Sequence, residues 1–223
     1  PLFMSKFFFF VKILVTGNPV REGIKLTTAE LKAQGKIYFG IAPEERLLLV
    51  TGGSLGARTL NTAVQEWIKH NEKCRFRILW QTGKFYKEEM DKFINEHQRD
   101  YVKHYAFLER MDLAIAAADV IITRAGAGTI SELSIAGKAC IFVPSPMVAE
   151  DHQTHNAMTL VNNGAAMMIK DSESDVYLMK TASELIEDKL RIEELEEKIK
   201  QMAYTDASSI IVNEVFKLAK RDK

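Results

Sequence analysis

Short apolar runs alternate along this chain with longer stretches of three-and-four spacing, and the two patterns predict strands and helices in turn. Residues 46–51 (Arg-Leu-Leu-Leu-Val-Thr) are the clearest buried strand. Residues 76–81, 101–107, 120–123, 139–143 and 166–169 read as further strands, and residues 12–16 as another ahead of them. An amphipathic helix runs to about His70, a second covers 85–96 through Phe85, Met90, Phe93 and Ile94, and an alanine-rich one covers 111–118. A short helix is expected near 28–34, and one over 151–163 with Gly164 as its C-terminal cap. From about Asp175 the pattern is helical, with breaks near 189–191 and 204–207. Strands followed by glycine turns and helices argue for right-handed βαβ units in a parallel sheet, an α/β fold in one domain.

Two glycine-bearing turns give this pattern its chemistry. Residues 120–132, Val-Ile-Ile-Thr-Arg-Ala-Gly-Ala-Gly-Thr-Ile-Ser-Glu, read as a buried strand, a turn and the first turn of a helix. Gly126 and Gly128 are expected to adopt angles closed to other residues and to let a ligand approach the main chain. Thr129 is expected to open the helix, whose unpaired N–H groups and dipole attract an anion. Gly52-Gly-Ser-Leu-Gly-Ala-Arg58 follows another strand, so both turns lie at the carboxyl edge of the sheet, where α/β folds bind ligands. Phosphate or nucleotide binding is the function this pair favours.

Glu132 has two readings. In one it closes a capping box with Thr129; in the other it accepts hydrogen bonds from both hydroxyls of a ribose. Arg21 and Arg124 either offset a diphosphate or are surface or locally paired arginines. His152 and His155 lack a third metal ligand of matched spacing, no Asp-x-Asp pair is present, and no nucleophile–base set or general base stands out.

Composition narrows this picture. The chain has 223 residues, 47% hydrophobic and 27% charged, enough for one sizeable core. Lys+Arg and Asp+Glu are both 30, so bulk charge gives no argument for nucleic acid. Cys74 and Cys140 have no metal spacing, and Cys140 lies in an apolar run; a reducing, cytosolic setting is expected. The apolar first 15 residues are interrupted by Lys6 and Lys12, too short a run for the roughly 20 residues of a membrane span, and lack a signal-cleavage site. Residues 1–10 read as a lead-in and 11–223 as the domain, with a membrane-adhesive patch as the alternative for the phenylalanines at 7–10.

Four segments together, Gly17-Asn-Pro-Val-Arg21, Gly52-Gly-Ser-Leu-Gly-Ala-Arg58, Arg124-Ala-Gly-Ala-Gly-Thr-Ile-Ser-Glu132 and Asp151-His-Gln-Thr-His-Asn-Ala157, resemble the MurG family of bacterial N-acetylglucosamine transferases. The resemblance runs from about Val11 to the C-terminus and covers the family's C-terminal half. It implies a Rossmann-like parallel sheet with helices on both faces, one half of a GT-B glycosyltransferase that binds UDP-N-acetylglucosamine. Carried over by motif, Arg21 and Ser54 would contact the diphosphate region and the backbone of Leu108 would read the uracil edge. Ala127, Gly128 and Thr129 would present backbone donors to phosphate, within a binding segment that also includes Ile130 and Ser131. Glu132 would hold the ribose and Gln153 the sugar hydroxyls. Leu55 stands where many members carry glutamine, and Gly128 replaces a bulkier residue found in some.

The reaction implied is inverting and needs neither metal nor cofactor. Its acceptor would be the lipid-linked muramyl-pentapeptide precursor of peptidoglycan, reached through an N-terminal domain that this chain lacks. The resemblance thus implies cytoplasmic, membrane-peripheral cell-wall synthesis in the full-length protein, and no catalysis by this chain alone. Two alternatives are a stand-alone donor-binding subunit that needs a separate acceptor-domain protein, and a related glycolipid glycosyltransferase.

Overall fold

The computed structural model describes residues 13–147 and 149–219; the expected lead-in at 1–10 lies outside them. Among the described residues, β1 Leu47–Thr51, β2 Arg77–Gln81, β3 Val102–Tyr105, β4 Val120–Thr123, β5 Ala139–Phe142 and β6 Met167–Met168 form one sheet. Every pairing is parallel and the order is β3-β2-β1-β4-β5-β6. The order reverses beside β1, and the crevice between β1 and β4 is where such sheets accept ligands. Thr51 pairs with Gln81 on one side and Thr123 on the other, so three loops leave the carboxyl edge at one level.

Side chains alternate across the pleat, and both faces are covered. Leu48, Val50, Ile78, Trp80, Val120 and Ile122 point into one core cluster. That face is closed by α2 Arg58–His70, α3 Lys87–Glu96 and α7 Ser174–Glu187 through residues such as Val64, Phe93 and Leu178. Leu47, Leu49, Leu79, Ile121 and Phe142 point the other way. They meet α4 Met111–Ala117, α5 Ala127–Ala136 and α6 His152–Asn162, with Ile199 of α8 Lys189–Lys200. Continuous apolar strands are thus explained by double burial.

Helix α1 Ala29–Tyr38 packs on α4 through a small-residue contact, since a Cβ on Gly35 would lie 2.4 Å from the Leu113 carbonyl oxygen. Thr28 caps α1 by accepting from the Leu31 N–H at 3.2 Å. Asp188 breaks the C-terminal helical run and caps α8, accepting from Arg191 N at 3.0 Å. The next break precedes α9 Ala207–Ala219. Gly164 ends α6 with φ +64°, the left-handed turn expected of it.

One expected strand does not form. Residues 13–16 carry no strand pairing, and Ile13, Leu14 and Val15 are 45–54% exposed. Apolar, β-prone residues make a strand only where a neighbouring strand supplies the ladder, and residues 13–16 pair with neither edge strand, β3 nor β6. No helix among the described residues is long and apolar enough to cross a membrane.

Candidate functional site

The turns after β1 and β4 face each other across a cleft of about 320 Å³, at the lower end of the range for small-molecule pockets. Leu49, Ile115, Ile121 and Leu133 form its apolar base, while Gly52, Gly53 and Ser54 wall one side and Gly126, Thr129 and Glu132 the other. A more open recess of about 550 Å³ adjoins it and shares Gly52, Gly53, Ser54, Arg124 and Gln153.

Helix α5 begins two residues earlier than Thr129. Gly126 is its N-cap, and Ile130 N donates to the Gly126 carbonyl at 2.9 Å as the first internal bond. The N–H groups of Ala127, Gly128 and Thr129 therefore lie in the unpaired first turn, at the positive end of the dipole. The capping box consequently does not exist, because Thr129 and Glu132 both lie inside the helix. Gly126 has φ −67°, open to any residue, and Gly128 is helical, so neither is needed for a left-handed angle. A Cβ on Gly128 would meet no protein atom within 4 Å, so the space beside it at the helix end is open.

Helical geometry also divides the predicted segment. Thr129, Glu132 and Leu133 share the face on the cleft, at spacings of three and four. Ala127, Gly128, Ile130 and Ser131 are not among the residues that line it. Ala127, Ile130 and Ser131 border a separate recess of about 140 Å³ with Asn18 and Tyr204, and Ser131 Oγ donates to the Ala127 carbonyl at 3.0 Å.

Glu132 is met by Arg21 fork to fork, with Nε to Oε1 at 2.7 Å and Nη2 to Oε2 at 2.6 Å. This partner holds the Arg21 guanidinium above its ordinary pKa, chiefly through the hydrogen bond. Arg124 is likewise paired: Nη1 donates to the Val143 and Pro144 carbonyls at 3.1 and 3.2 Å and to Asp171 Oδ1. Of the readings open for the arginines, local pairing is the one both adopt.

Gln153 Oε1 accepts from Ala125 N at 3.2 Å and Ser145 N at 2.9 Å, tying the turn after β4 to the loop after β5. This assignment leaves the amide nitrogen as what Gln153 offers a ligand. Leu108 lines the cleft, but its N–H donates to Gln81 Oε1 at 2.8 Å, so its carbonyl is the backbone group left to face a base. Ser54 lies at the exposed tip of its turn with Leu55, which is 71% exposed.

Gln81 was not anticipated as a site residue. Only 2% exposed, it also donates through Nε2 to Thr51 Oγ1 at 3.0 Å and to the Gly53 carbonyl at 2.9 Å. It therefore braces the first glycine turn against the Leu108 loop. The available signal was a polar residue ending the apolar run Ile78-Leu79-Trp80 at the carboxyl edge. Phe107 and Met111, also in the cleft wall, carried no such mark.

Among the described residues, no three His, Cys, Asp or Glu gather as a metal site. His155 Nδ1 lies 3.0 Å from the Asp151 carbonyl oxygen, one turn back in its own helix. Cys140 is fully buried, and burial pushes its thiol well above the usual range.

Residues 47–211, from β1 into α9, match the glycosyltransferase family 28 C-terminal domain. The chain belongs to that family. Its relatives include UDP-N-acetylglucosamine--N-acetylmuramyl-(pentapeptide) pyrophosphoryl-undecaprenol N-acetylglucosamine transferases. That of Parabacteroides distasonis is 40% identical over 215 residues, 96% of this chain and 58% of the relative. That of Bacteroides thetaiotaomicron is 42% identical over 225 residues, 98% of this chain and 59% of the relative. Acinetobacter baumannii MurG superposes with a TM-score of 0.70 at 28% identity, over 90% of this chain and 57% of that one. Anabaena HepE in complex with UDP and glucose, at 14% identity and a TM-score of 0.64 over 89% of this chain and 55% of that one, shares the fold. The Rossmann-like half of a GT-B glycosyltransferase is thus the architecture present, and the chain spans under two thirds of its curated relatives.

Proposed function

We propose that this chain is the donor-binding half of a glycosyltransferase that moves N-acetylglucosamine from UDP-N-acetylglucosamine to a lipid-linked muramyl-pentapeptide precursor of peptidoglycan. One observation carries the reading: the open N-terminal end of α5, through Gly126 and Thr129, and the carboxylate of Glu132 border one cleft. The N–H of Gly128 in that first turn lies four residues before Glu132, roughly 6 Å along the axis. A nucleoside 5′-phosphate covers a span of that order between its phosphate and its ribose diol. The names of the relatives at 40–42% identity support the specific donor and acceptor.

In this reading the diphosphate rests on the first turn of α5 and the Gly52–Ser54 turn, and the ribose hydroxyls donate to Glu132. Leu108 faces uracil through its carbonyl, and Gln153 donates its amide N–H to the sugar. An acceptor hydroxyl attacks the anomeric carbon from the opposite face, the bond to the diphosphate oxygen breaks, and UDP leaves with the electron pair. Negative charge growing on the diphosphate is stabilised by oriented N–H groups that need no reorganisation. The base that takes the acceptor's proton, the acceptor surface and any contact with the cytoplasmic face of a membrane belong to the rest of the full-length protein. This chain alone binds donor and does not turn over.

Calorimetric titration with UDP-N-acetylglucosamine, UDP and ATP tests the assignment. Saturable heat with both uridine ligands and none with ATP supports it; no heat from either uridine ligand at millimolar concentration overturns it.

A further inference from the structure

The loop that carries Arg21 is fastened to α5 at two places. Asn18 Nδ2 donates to Ser131 Oγ at 3.0 Å and to the Ala127 carbonyl at 3.4 Å, and Arg21 grips Glu132 one turn further along. Behind the loop, Gly17 has φ +77° and lies so close to Tyr204 that a Cβ would sit 2.4 Å from the tyrosine Cβ, so the backbone is held from that side too. The chain is thus folded back across 111 residues to set one guanidinium against one carboxylate.

The stoichiometry of that contact matters. A carboxylate has about four lone-pair sites, and the fork occupies one on each oxygen. The fork takes the lone pairs that face Arg21; the outer pair left on each oxygen diverges from the other, so a ribose hydroxyl can still donate to either oxygen without displacing the arginine. The Glu132 side chain is 13% exposed and Arg21 59%, so the arginine covers the carboxylate's outer side and fixes its plane. A glutamate without this partner would rotate among rotamers and present its oxygens to a diol only part of the time.

We infer that Arg21 is a positioning residue for the ribose diol, acting through Glu132, and does not work as a diphosphate contact. This rests on the donor-site reading above and assigns a different task to the arginine that the sequence comparison would place on the diphosphate. The guanidinium's charge is matched where it stands, and the phosphate site is supplied by the N–H groups of Ala127, Gly128 and Thr129.

The test is a binding matrix on the 223-residue chain. Uridine, UDP and 2′,3′-dideoxyuridine 5′-diphosphate are titrated into wild type, Arg21→Ala, Arg21→Lys, Glu132→Ala and the Arg21→Ala/Glu132→Ala double variant. Melting temperatures confirm that each variant is folded. Arg21→Ala should weaken uridine and UDP by the same factor, about tenfold, the loss of one well-formed charged hydrogen-bonding unit. It should leave the dideoxy ligand unchanged and add nothing in the Glu132→Ala background. Arg21→Lys, with a point charge in place of a planar fork, should fall between. A loss confined to the two diphosphate ligands, with uridine unaffected, overturns the inference and leaves the donor site standing. A wild type that binds neither UDP nor uridine overturns both.

Discussion

Replacing Gln153 by glutamate separates what this side chain does for the fold from what it does for a ligand. Its Oε1 satisfies two backbone N–H groups, those of Ala125, which is fully buried, and Ser145. Gln153→Glu keeps an oxygen in that position, removes the amide N–H donors and adds a negative charge. Gln153→Leu removes the acceptor and orphans both N–H groups. An unsatisfied buried donor costs about 1–3 kcal/mol, so Gln153→Leu should lose roughly 2–4 kcal/mol of unfolding free energy and Gln153→Glu under about 1. In titrations, the added charge should weaken both UDP and UDP-N-acetylglucosamine, and the nucleotide sugar should lose about five- to tenfold more than UDP, the worth of one lost hydrogen bond. Guanidinium denaturation and calorimetry on the three proteins read both quantities. If Gln153→Glu unfolds as easily as Gln153→Leu, the two-acceptor role is wrong; if it weakens the nucleotide sugar no more than UDP, the sugar contact is wrong.

Two helical glycines should respond oppositely to alanine. Gly128→Ala, with no protein atom near its new Cβ, should gain about 0.5–1 kcal/mol from helix propensity, while Gly128→Leu should weaken UDP binding by filling the approach to the helix end. Gly35→Ala should instead lose about 1–3 kcal/mol, because its Cβ would lie 2.4 Å from the Leu113 carbonyl oxygen; thermal melts of the set decide. Lys138 is buried with its ammonium donating to the Ala116 and Ala118 carbonyls at 2.9 and 2.7 Å, and burial lowers its pKa from 10.5 to about 8. The unfolded chain therefore holds this proton more tightly between those values, and the penalty of the buried charge fades as pH rises through 8. Wild type should gain about 2–3 kcal/mol on Lys138→Met between pH 7.5 and 10, by denaturation at each pH; a constant difference would contradict the buried charge.

The sheet was legible in the sequence chiefly because its central strands are buried on both faces, which writes an uninterrupted apolar run such as Leu47–Val50 flanked by glycine or polar residues. Helices α2 and α3 were legible from their apolar spacing, and the break at Asp188 fell beside the expected one. The start of α5 was not. A glycine N-cap has no side chain to announce it, and Thr129 with Glu132 happened to imitate a capping box. Residues 13–16 show the converse error, an apolar run without a neighbouring strand. The two glycine turns stood out because they follow buried strands at the carboxyl edge; Gly53 and Gly56 of the first do take left-handed angles, with φ +86° and +91°, whereas the second needs none. The hydrogen bonds that decide its details, Arg21 to Glu132, Gln81 to Leu108 and Gln153 to Ala125, join positions 27 to 111 residues apart. No local pattern records such pairings. Ile130 and Ser131 were grouped with their neighbours by motif and separated from them by the turn of the helix.

The most direct measurement of the central claim is an amide-resolved NMR titration of the 15N-labelled chain with UDP-N-acetylglucosamine. The account predicts that the largest shifts fall on Ala127, Gly128 and Thr129, with Gly53, Ser54 and Leu108 following at the same ligand concentration. Shifts gathered instead around Glu72, Cys74 and Asp100, at the opposite edge of the sheet, or none at millimolar ligand, would contradict it.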